Sequence, residues 1–399
     1  MHAIVIAAGR GTRMRPLTDR RPKPLLPVGC TTLLERALAQ CAPHVDRFVL
    51  VVGYRGDQLR ERIGDTFEGL PVTYVEQDDR EGTAHAVGRA GEVVEDRALV
   101  LNGDLLVDDD LIADLVAADG HALAVTEVDN PTDYGVVDVD AGRVRGIVEK
   151  PEEPPSNRAN VGVYVFEPSI FDAIDRTQRS PRGEYEITDS ISHLLDDGEA
   201  IAGIDYEGTW LDVGRPWELL EANETVLADL EREIEGTVEE GATIHGSVVV
   251  EDGARVRSGA YIEGPAVIRA GADVGPNAYV RGATVIGSDV RVGNAVEVKN
   301  SVLLEDAHAA HLSYVGDSVL GSDVNLGAGT TVANLRHDDA TVRMRVRGEA
   351  VDTGRRKLGV VLGDGVKTGI DTDLNAGVVL GTDTATQPGE TVLRDRGRE

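Results

Sequence analysis

Two rhythms of apolar residues divide the 399-residue chain. Up to about residue 215, short apolar runs at 3–6, 48–53, 72–75, 98–101 and 122–125 alternate with amphipathic stretches at 32–41, 82–93 and 108–118. Short apolar runs read as buried strands and the amphipathic stretches as helices. Their alternation predicts an α/β domain over 1–215, a mostly parallel sheet wrapped by helices, with ligands at the carboxyl ends of its strands. A Leu- and Glu-rich stretch over 216–236 reads as a helical connector.

Past the connector an aliphatic residue recurs every six positions, from Val238 through Val256, Ile268, Val280 and Val292 to Leu304. No helix or hairpin has that period. Over 237–399 it predicts a parallel β-helix of hexapeptide repeats, each short strand stacking its aliphatic side chain on the one below. The phase slips between Leu304 and Leu320 and is lost across 336–357. Both interruptions are expected to be loops thrown out of the coil, where function tends to sit.

The first strand runs straight into Ala7-Ala8-Gly9-Arg10-Gly11-Thr12-Arg13-Met14-Arg15-Pro16-Leu17-Thr18, with Lys23-Pro24 following. A glycine turn after a strand frees backbone N–H groups to meet an anion. Arg10, Arg13, Arg15, Arg20, Arg21 and Lys23 stand against one acid, Asp19, and read as a positive island. No Gly-Lys-Ser/Thr closes the loop, and Met14 stands where a dinucleotide fingerprint needs glycine. The loop closely resembles the signature of sugar-1-phosphate nucleotidylyltransferases.

That resemblance implies a Rossmann-like nucleotidyltransferase domain. It also implies Mg²⁺, a nucleoside triphosphate (UTP or dTTP) and a hexose-1-phosphate as cofactor and substrates. Ala8, Gly9, Gly11 and Thr12 would cradle the triphosphate, with Arg13 and Lys23 stabilising the charge that develops. Asp104, just past a strand in Asn102-Gly103-Asp104, and Asp212, in Trp210-Leu211-Asp212, match the family's metal-binding aspartates and are hard oxygen ligands. Gln77 with Gly82-Thr83 resembles the base-reading segment, in a form closer to uridylyl- than thymidylyltransferases. Gly135, Glu149, Lys150 and Asn160 match the order of the hexose pocket. The segment 182–189 reads as a structural helix start.

The first interruption of the coil contains His308, His311 and Tyr314, with Asn325 and Asn334 following it, and this stretch closely resembles the acetyltransferase core of the bifunctional glucosamine-1-phosphate acetyltransferase/uridylyltransferases. The resemblance implies His311 as general base, Tyr314, Asn325 and Asn334 as substrate contacts, and Arg281 and Lys299 on the sugar phosphate. An imidazole of ordinary pKa suits removal of a proton from a sugar amine before it attacks a thioester. The second interruption carries Arg343, Arg345, Arg347, Arg355, Arg356 and Lys357, a basic cluster suited to the phosphates of acetyl-CoA, with Arg355, Arg356 and Lys357 as the candidate contacts. Its Gly354-Arg355-Arg356-Lys357-Leu358-Gly359 run resembles archaeal bifunctional members. The family resemblance further implies a left-handed coil and a homotrimer or multiple of trimers. Two other readings stay open: a monofunctional glucose-1-phosphate thymidylyl- or uridylyltransferase with the coil as stem, and a non-catalytic regulatory subunit.

Composition narrows the setting. With 70 acids against 40 bases, net charge -30, a general nucleic-acid surface is excluded, and the acid excess resembles proteins kept soluble in molar salt. Only five lysines occur, Lys23, Lys150, Lys299, Lys357 and Lys367, so a lysine kept at a phosphate motif marks a compact point charge. Cys30 and Cys41 offer neither disulfide framework nor metal pair and read as core residues. With no leader-like or membrane-length apolar run, a cytoplasmic protein without membrane or nucleic-acid partners is expected.

Overall fold

The computed structural model describes residues 1–79 and 81–397, which separate into two compact units. One holds Met1–Arg10 with Leu33–Asp212, and the other Gly11–Thr32 with Val213–Glu399. The glycine loop is therefore divided between them, which nothing in the local apolar pattern announces.

In the first unit, His2–Ala7 lies between Ala98–Asn102 and Arg47–Val52, and Leu70–Glu76 follows, all parallel. The helices Leu33–Cys41, Thr83–Ala90 and Asp109–Ala117 fall where the amphipathic stretches put them. The ten-stranded sheet is mixed rather than mostly parallel, however. Arg158–Phe166 runs antiparallel to both Ala98–Asn102 and His121–Glu127, and Gly135–Asp140 forms a hairpin with Arg143–Glu149. The reason is connection length. The two residues Ala141 and Gly142, both at positive φ, close a tight turn, whereas a parallel partner needs a crossover of a dozen residues or more. Apolar side chains on the strands are almost wholly excluded from water, among them Ile4, Val49, Val100, Leu123 and Phe166, each side chain contributing about 1.5–3 kcal/mol.

In the second unit, Pro216–Ala228 is a helix with proline in its first turn, shorter than the expected connector. Glu233–Ile234 already pairs with Val249–Val250 as the first rung of the coil. From there three parallel sheets are visited in rotation, the path of a parallel β-helix. Val250, Ile268, Ile286, Leu303 and Leu320 stack in one column. The step shortens from eighteen residues to seventeen after Ile286. The first interruption is thus a correction: 304–320 never leaves the coil, and its slipped phase records turns one residue short. The second does leave it. Val319 pairs directly with Val361, and between them Arg343–Val346 and Glu349–Asp352 form an antiparallel hairpin.

Cys41 is buried but Cys30 is exposed, because it sits at the tip of the turn joining Pro27–Val28 to Thr31–Thr32. Among the described residues no helix is long and apolar enough to cross a membrane.

Candidate functional site

Ala8 directly follows the first strand, and Gly53 directly follows its neighbour. A Cβ on Gly53 would lie 3.0 Å from both the Ala8 and Gln77 carbonyl oxygens, so glycine lets the loop and Gln77 close on one another. Gly9 and Arg10 are exposed, Arg10 lying 5.9 Å over the Tyr54 ring. Gln77 is buried; its Nε2 donates to Gly82 O at 3.2 Å and meets His85 Nδ1 at 3.1 Å. Gly82 has φ +118°, and a Cβ there would fall 2.3 Å from Tyr185 O. Thr83 Oγ1 accepts the Ile187 N–H at 3.1 Å, capping the helix Ile187–Asp196. Sequence reasoning singled out Gln77 and Gly82 but missed Gly53 and Tyr185, which shape them; a glycine closing an apolar strand was the available signal.

The hexose motifs converge on Gly135. A Cβ there would lie 3.1 Å from Glu149 Oε2, 3.2 Å from Thr188 and 3.5 Å from Asn160. Gly135 pairs with Glu149, and the Lys150 N–H donates to Tyr134 O at 2.9 Å. Asn160 precedes a break in register, donating to the Tyr164 hydroxyl at 2.6 Å and accepting the Gly162 N–H at 3.1 Å. Glu149 accepts from Arg182 at 3.0 Å.

The two aspartates come together through backbone pairing. Leu211–Asp212 runs antiparallel to Leu105–Leu106 with Asp212 opposite Leu105, the neighbour of Asp104. A clamp fixes this pairing: Asp108 Oδ2 accepts the Tyr206 hydroxyl at 2.9 Å and the Thr209 N–H at 2.8 Å. A Cβ on Gly208 would sit 2.2 Å from that oxygen and 2.6 Å from the Tyr206 hydroxyl, so a side chain there would push the clamp apart. No group of three His, Cys, Asp or Glu suited to a metal occurs among the described residues. Two carboxylates leave the remaining coordination to water and phosphate oxygens, the arrangement Mg²⁺ prefers.

In the second unit, Gly11 (φ +58°) lies against Lys23, a buried lysine, and accepts the Thr18 hydroxyl at 2.8 Å. Arg13 lies over Gly214, where a Cβ would approach its Nη2 to 2.8 Å. The rest of the positive island is spent on docking the segment against the coil. Arg20 meets Asp383 at 2.5 Å, and Arg21 grips Glu305 at 3.1 and 2.5 Å. Arg15 faces Asp19 at 3.3 Å, and Thr12 Oγ1 accepts from Arg347 at 3.1 Å. The island is thus narrower than its sequence implied, since three of its charges, Arg15, Arg20 and Arg21, have carboxylate partners placed by the fold or by a neighbouring turn.

On the coil, Asp317 organises the acetyltransferase candidates. Its nearly buried carboxylate accepts Lys299 Nζ at 2.8 Å, Asn334 Nδ2 at 2.6 Å and Asn300 Nδ2 at 3.0 Å. Asn334 also donates to the Tyr314 hydroxyl at 3.1 Å, and burial raises the pKa of that phenol. Arg281 pairs in register with Lys299, donates to Glu297 at 2.8 Å and lies 5.5 Å over Tyr279. His311 and Asn325 stand on a different sheet, where His308–His311 pairs with Arg291–Asn294 and with Asn325–Leu326, and neither belongs to the Asp317 network. His311 is exposed at a corner, followed by Leu312 at φ +51°. Arg355 is turned inward onto Glu224 and Arg356 onto Asp339, while Lys357 bridges to Leu335. Asp317 carried no sequence signal beyond its place after Tyr314-Val315-Gly316.

Residues 2–229 match the nucleotidyl transferase family, and 262–390 match the GMPPB C-terminal domain. The chain is 43% identical over 384 residues to a bifunctional protein GlmU of Methanocaldococcus jannaschii, covering 96% of this chain and 92% of that one. It is 38% identical over 404 residues to a bifunctional sugar-1-phosphate nucleotidylyltransferase/acetyltransferase of Sulfurisphaera tokodaii, covering 100% and 98%. Among solved structures, one from Bacillus anthracis assigned as a glucose-1-phosphate thymidylyltransferase superposes with TM-score 0.52 and 30% identity, over 58% of this chain and 97% of that one. With full-length likeness at that level, the chain belongs to the archaeal family of bifunctional sugar-1-phosphate nucleotidylyltransferase/acetyltransferases.

Proposed function

We propose that the chain couples a hexose-1-phosphate to UTP or dTTP, releasing pyrophosphate, and N-acetylates an amino-sugar-1-phosphate from acetyl-CoA on its coil. The observation that carries the first half is the pairing that sets Asp212 beside the neighbour of Asp104. These carboxylates would hold Mg²⁺, which neutralises phosphate charge when bound. Arg13 and Lys23 hold the triphosphate while the sugar phosphate oxygen attacks the α-phosphorus and pyrophosphate departs. Ala8, Gly9, Gly11 and Thr12 supply the loop backbone around the phosphates. Gln77, by holding Gly82, shapes with Thr83 the wall against which the pyrimidine is read. Gly135 lets Glu149 and Asn160 approach one another, and these two hold the hexose with Lys150 on its phosphate.

For the second reaction, His311 takes a proton from the sugar ammonium and the freed amine attacks the thioester carbonyl. The amide forms, the carbon–sulfur bond breaks, and coenzyme A leaves as its thiol. Lys299 and Arg281 bind the sugar phosphate, and Tyr314, Asn325 and Asn334 orient the amino sugar. Lys357 and Arg356 meet the acyl donor, with Arg355 bracing them through Glu224. We assign the coil a left-handed path and a trimeric or multiply trimeric assembly, on the family resemblance.

Two assays on the purified chain in KCl test both halves. Pyrophosphate release is scanned against triphosphates and hexose phosphates with Mg²⁺, and thiol release against acetyl-CoA with glucosamine- or galactosamine-1-phosphate. Thiol release that survives His311→Ala would remove the acetyltransfer assignment, and pyrophosphate release that survives Asp104→Ala would remove the metal role.

A further inference from the structure

Two adjacent residues of the helix Pro216–Ala228 hold different parts of the second unit. Asn223 is fully buried. Its Oδ1 accepts the Gly29 N–H at 2.9 Å, and its Nδ2 donates to Pro27 O at 3.2 Å and to Leu219 O at 2.8 Å. These bonds fix the helix against the turn at 27–29. Glu224, the next residue, reaches the coil instead. Its Oε2 accepts Arg355 Nη1 at 3.1 Å, with a second bond from Arg355 Nη2 to Oε1, and Oε1 also accepts Asn300 Nδ2 at 2.7 Å.

Asn300 and Asp317 are successive corners of the coil. They stand at φ +46° and +52°, just past the strands Glu297–Lys299 and Tyr314–Gly316. Asn and Asp tolerate that conformation better than most residues, which accounts for the residue types but not for what their side chains meet. Asn300 Nδ2 carries two hydrogens and gives them to two carboxylates, Glu224 Oε1 and, at 3.0 Å, Asp317 Oδ1. Each carboxylate has its own cation, Arg355 on Glu224 and Lys299 on Asp317. Two ion pairs are thus joined through one amide. With Oδ1 on Asn300, Asp317 turns Oδ2 to Lys299 Nζ at 2.8 Å and to Asn334 Nδ2 at 2.6 Å.

We propose that Glu224 is a positioning residue for the amino-sugar phosphate on the coil. Through Asn300 it fixes the rotation of the Asp317 carboxylate, and with it the place of the Lys299 ammonium that receives the phosphate. A nearly buried carboxylate that loses one of its donors turns toward those that remain, and the flexible lysine follows. Arg355 is thereby set apart from the acyl-donor contacts with which the sequence groups it. It neutralises Glu224, so that Glu224 and Asp317 can share one amide without repelling each other. Disturbing the pair should therefore be felt by the sugar phosphate and not by acetyl-CoA. That the ligand is an amino-sugar phosphate rests on the acetyl transfer proposed above; the network of bonds does not.

The test is titration calorimetry of the full chain with whichever of glucosamine- and galactosamine-1-phosphate binds tighter, beside thiol release from acetyl-CoA. Lys299→Met marks the coil site as the equivalent that it weakens. Glu224→Ala is expected to raise the Kd of that equivalent about tenfold, and the amino-sugar KM with it, while the KM for acetyl-CoA is unchanged. Arg355→Met should do the same, and Arg355→Lys, which keeps the cation, should recover most of the loss. Added to Lys299→Met, Glu224→Ala should weaken binding further by about twofold at most, because its effect passes through Lys299. Unchanged affinity in a Glu224→Ala or Arg355→Met chain folded by circular dichroism overturns the inference. So does a loss that adds in full to that of Lys299→Met, or one that falls on acetyl-CoA instead. Weakened binding with no thiol release from wild type leaves the positioning role standing and removes acetyl transfer. A wild type with no equivalent that depends on Lys299 overturns both.

Discussion

Asp212 is paired across a two-residue antiparallel ladder with Leu105, which places it beside the residue that follows Asp104. Asp212 and the residue that follows Asp104, more than a hundred positions apart, are therefore held by backbone pairing. Asp104→Asn and Asp212→Asn are expected to cut pyrophosphate release about a thousandfold each, the scale of losing a charge-neutralising metal contact. Acetyl transfer should be unchanged, and the double variant should lose little more than either single one. Activity equal to wild type in both assays would sink the pairing as a metal site.

The clamp around Asp108 makes a subtler prediction. Tyr206→Phe removes the hydroxyl that donates to Asp108 Oδ2, with no change of shape. The Leu211–Asp212 ladder should loosen, costing about 1 kcal/mol of stability. The kinetic signature is a raised Mg²⁺ requirement with kcat recovered at high Mg²⁺, read from initial rates across a magnesium series.

On the coil, Asp317→Asn leaves the half-buried Lys299 without its charge partner and is expected to cost about 1.5–3 kcal/mol. Denaturant unfolding of the coil measures this directly. Acetyl transfer should fall with it, whereas Lys299→Met/Asp317→Leu should restore stability without restoring acetyl transfer.

Gly82→Ala tests the loop that Gln77 holds. At φ +118°, with Tyr185 O 2.3 Å from the added carbon, alanine has to push backbone against backbone. A loss of about 2–4 kcal/mol and a raised triphosphate KM are expected, from melting curves and initial rates.

His121 gives the first unit an acid-sensitive point. Burial lowers its pKa below the ordinary 6.5, although Glu199 at 3.0 Å and Glu167 pull the other way and Arg97 adds to the lowering. A folded-state value below the unfolded one means the unfolded chain binds the extra proton first. Stability from this group is complete above 6.5 and declines as pH falls from there through the folded value. Melting curves between pH 7.5 and 5 should show that decline, and His121→Gln should flatten its share of it.

Much of this was legible in the sequence. The six-residue period locates the coil, and Gly135, Glu149 and Asn160 do meet at one place, as their order implied. What escaped was set by distance along the chain. The antiparallel insertion of Arg158–Phe166 is set by its pairing with strands tens of residues earlier, which no apolar run encodes. A turn of seventeen residues looks like a broken pattern when only six is counted, although the column of Ile286, Leu303 and Leu320 is intact. The partners of Arg20 and Arg21 lie 363 and 284 residues away, so charges that look like a phosphate cradle locally are docking groups globally.

Those long-range pairs carry a consequence for how the molecule is made. Within the Gly11–Thr32 segment, Arg20 and Asp19 leave the ribosome 363 residues ahead of the Asp383 and Thr382 that they meet. At ordinary elongation speeds the segment waits about 20–70 s for them. A chain stopped before residue 382 would carry the full glycine motif but lack part of the surface that receives it, so synthesis itself acts as a check that only chains extended past this point acquire a seated loop.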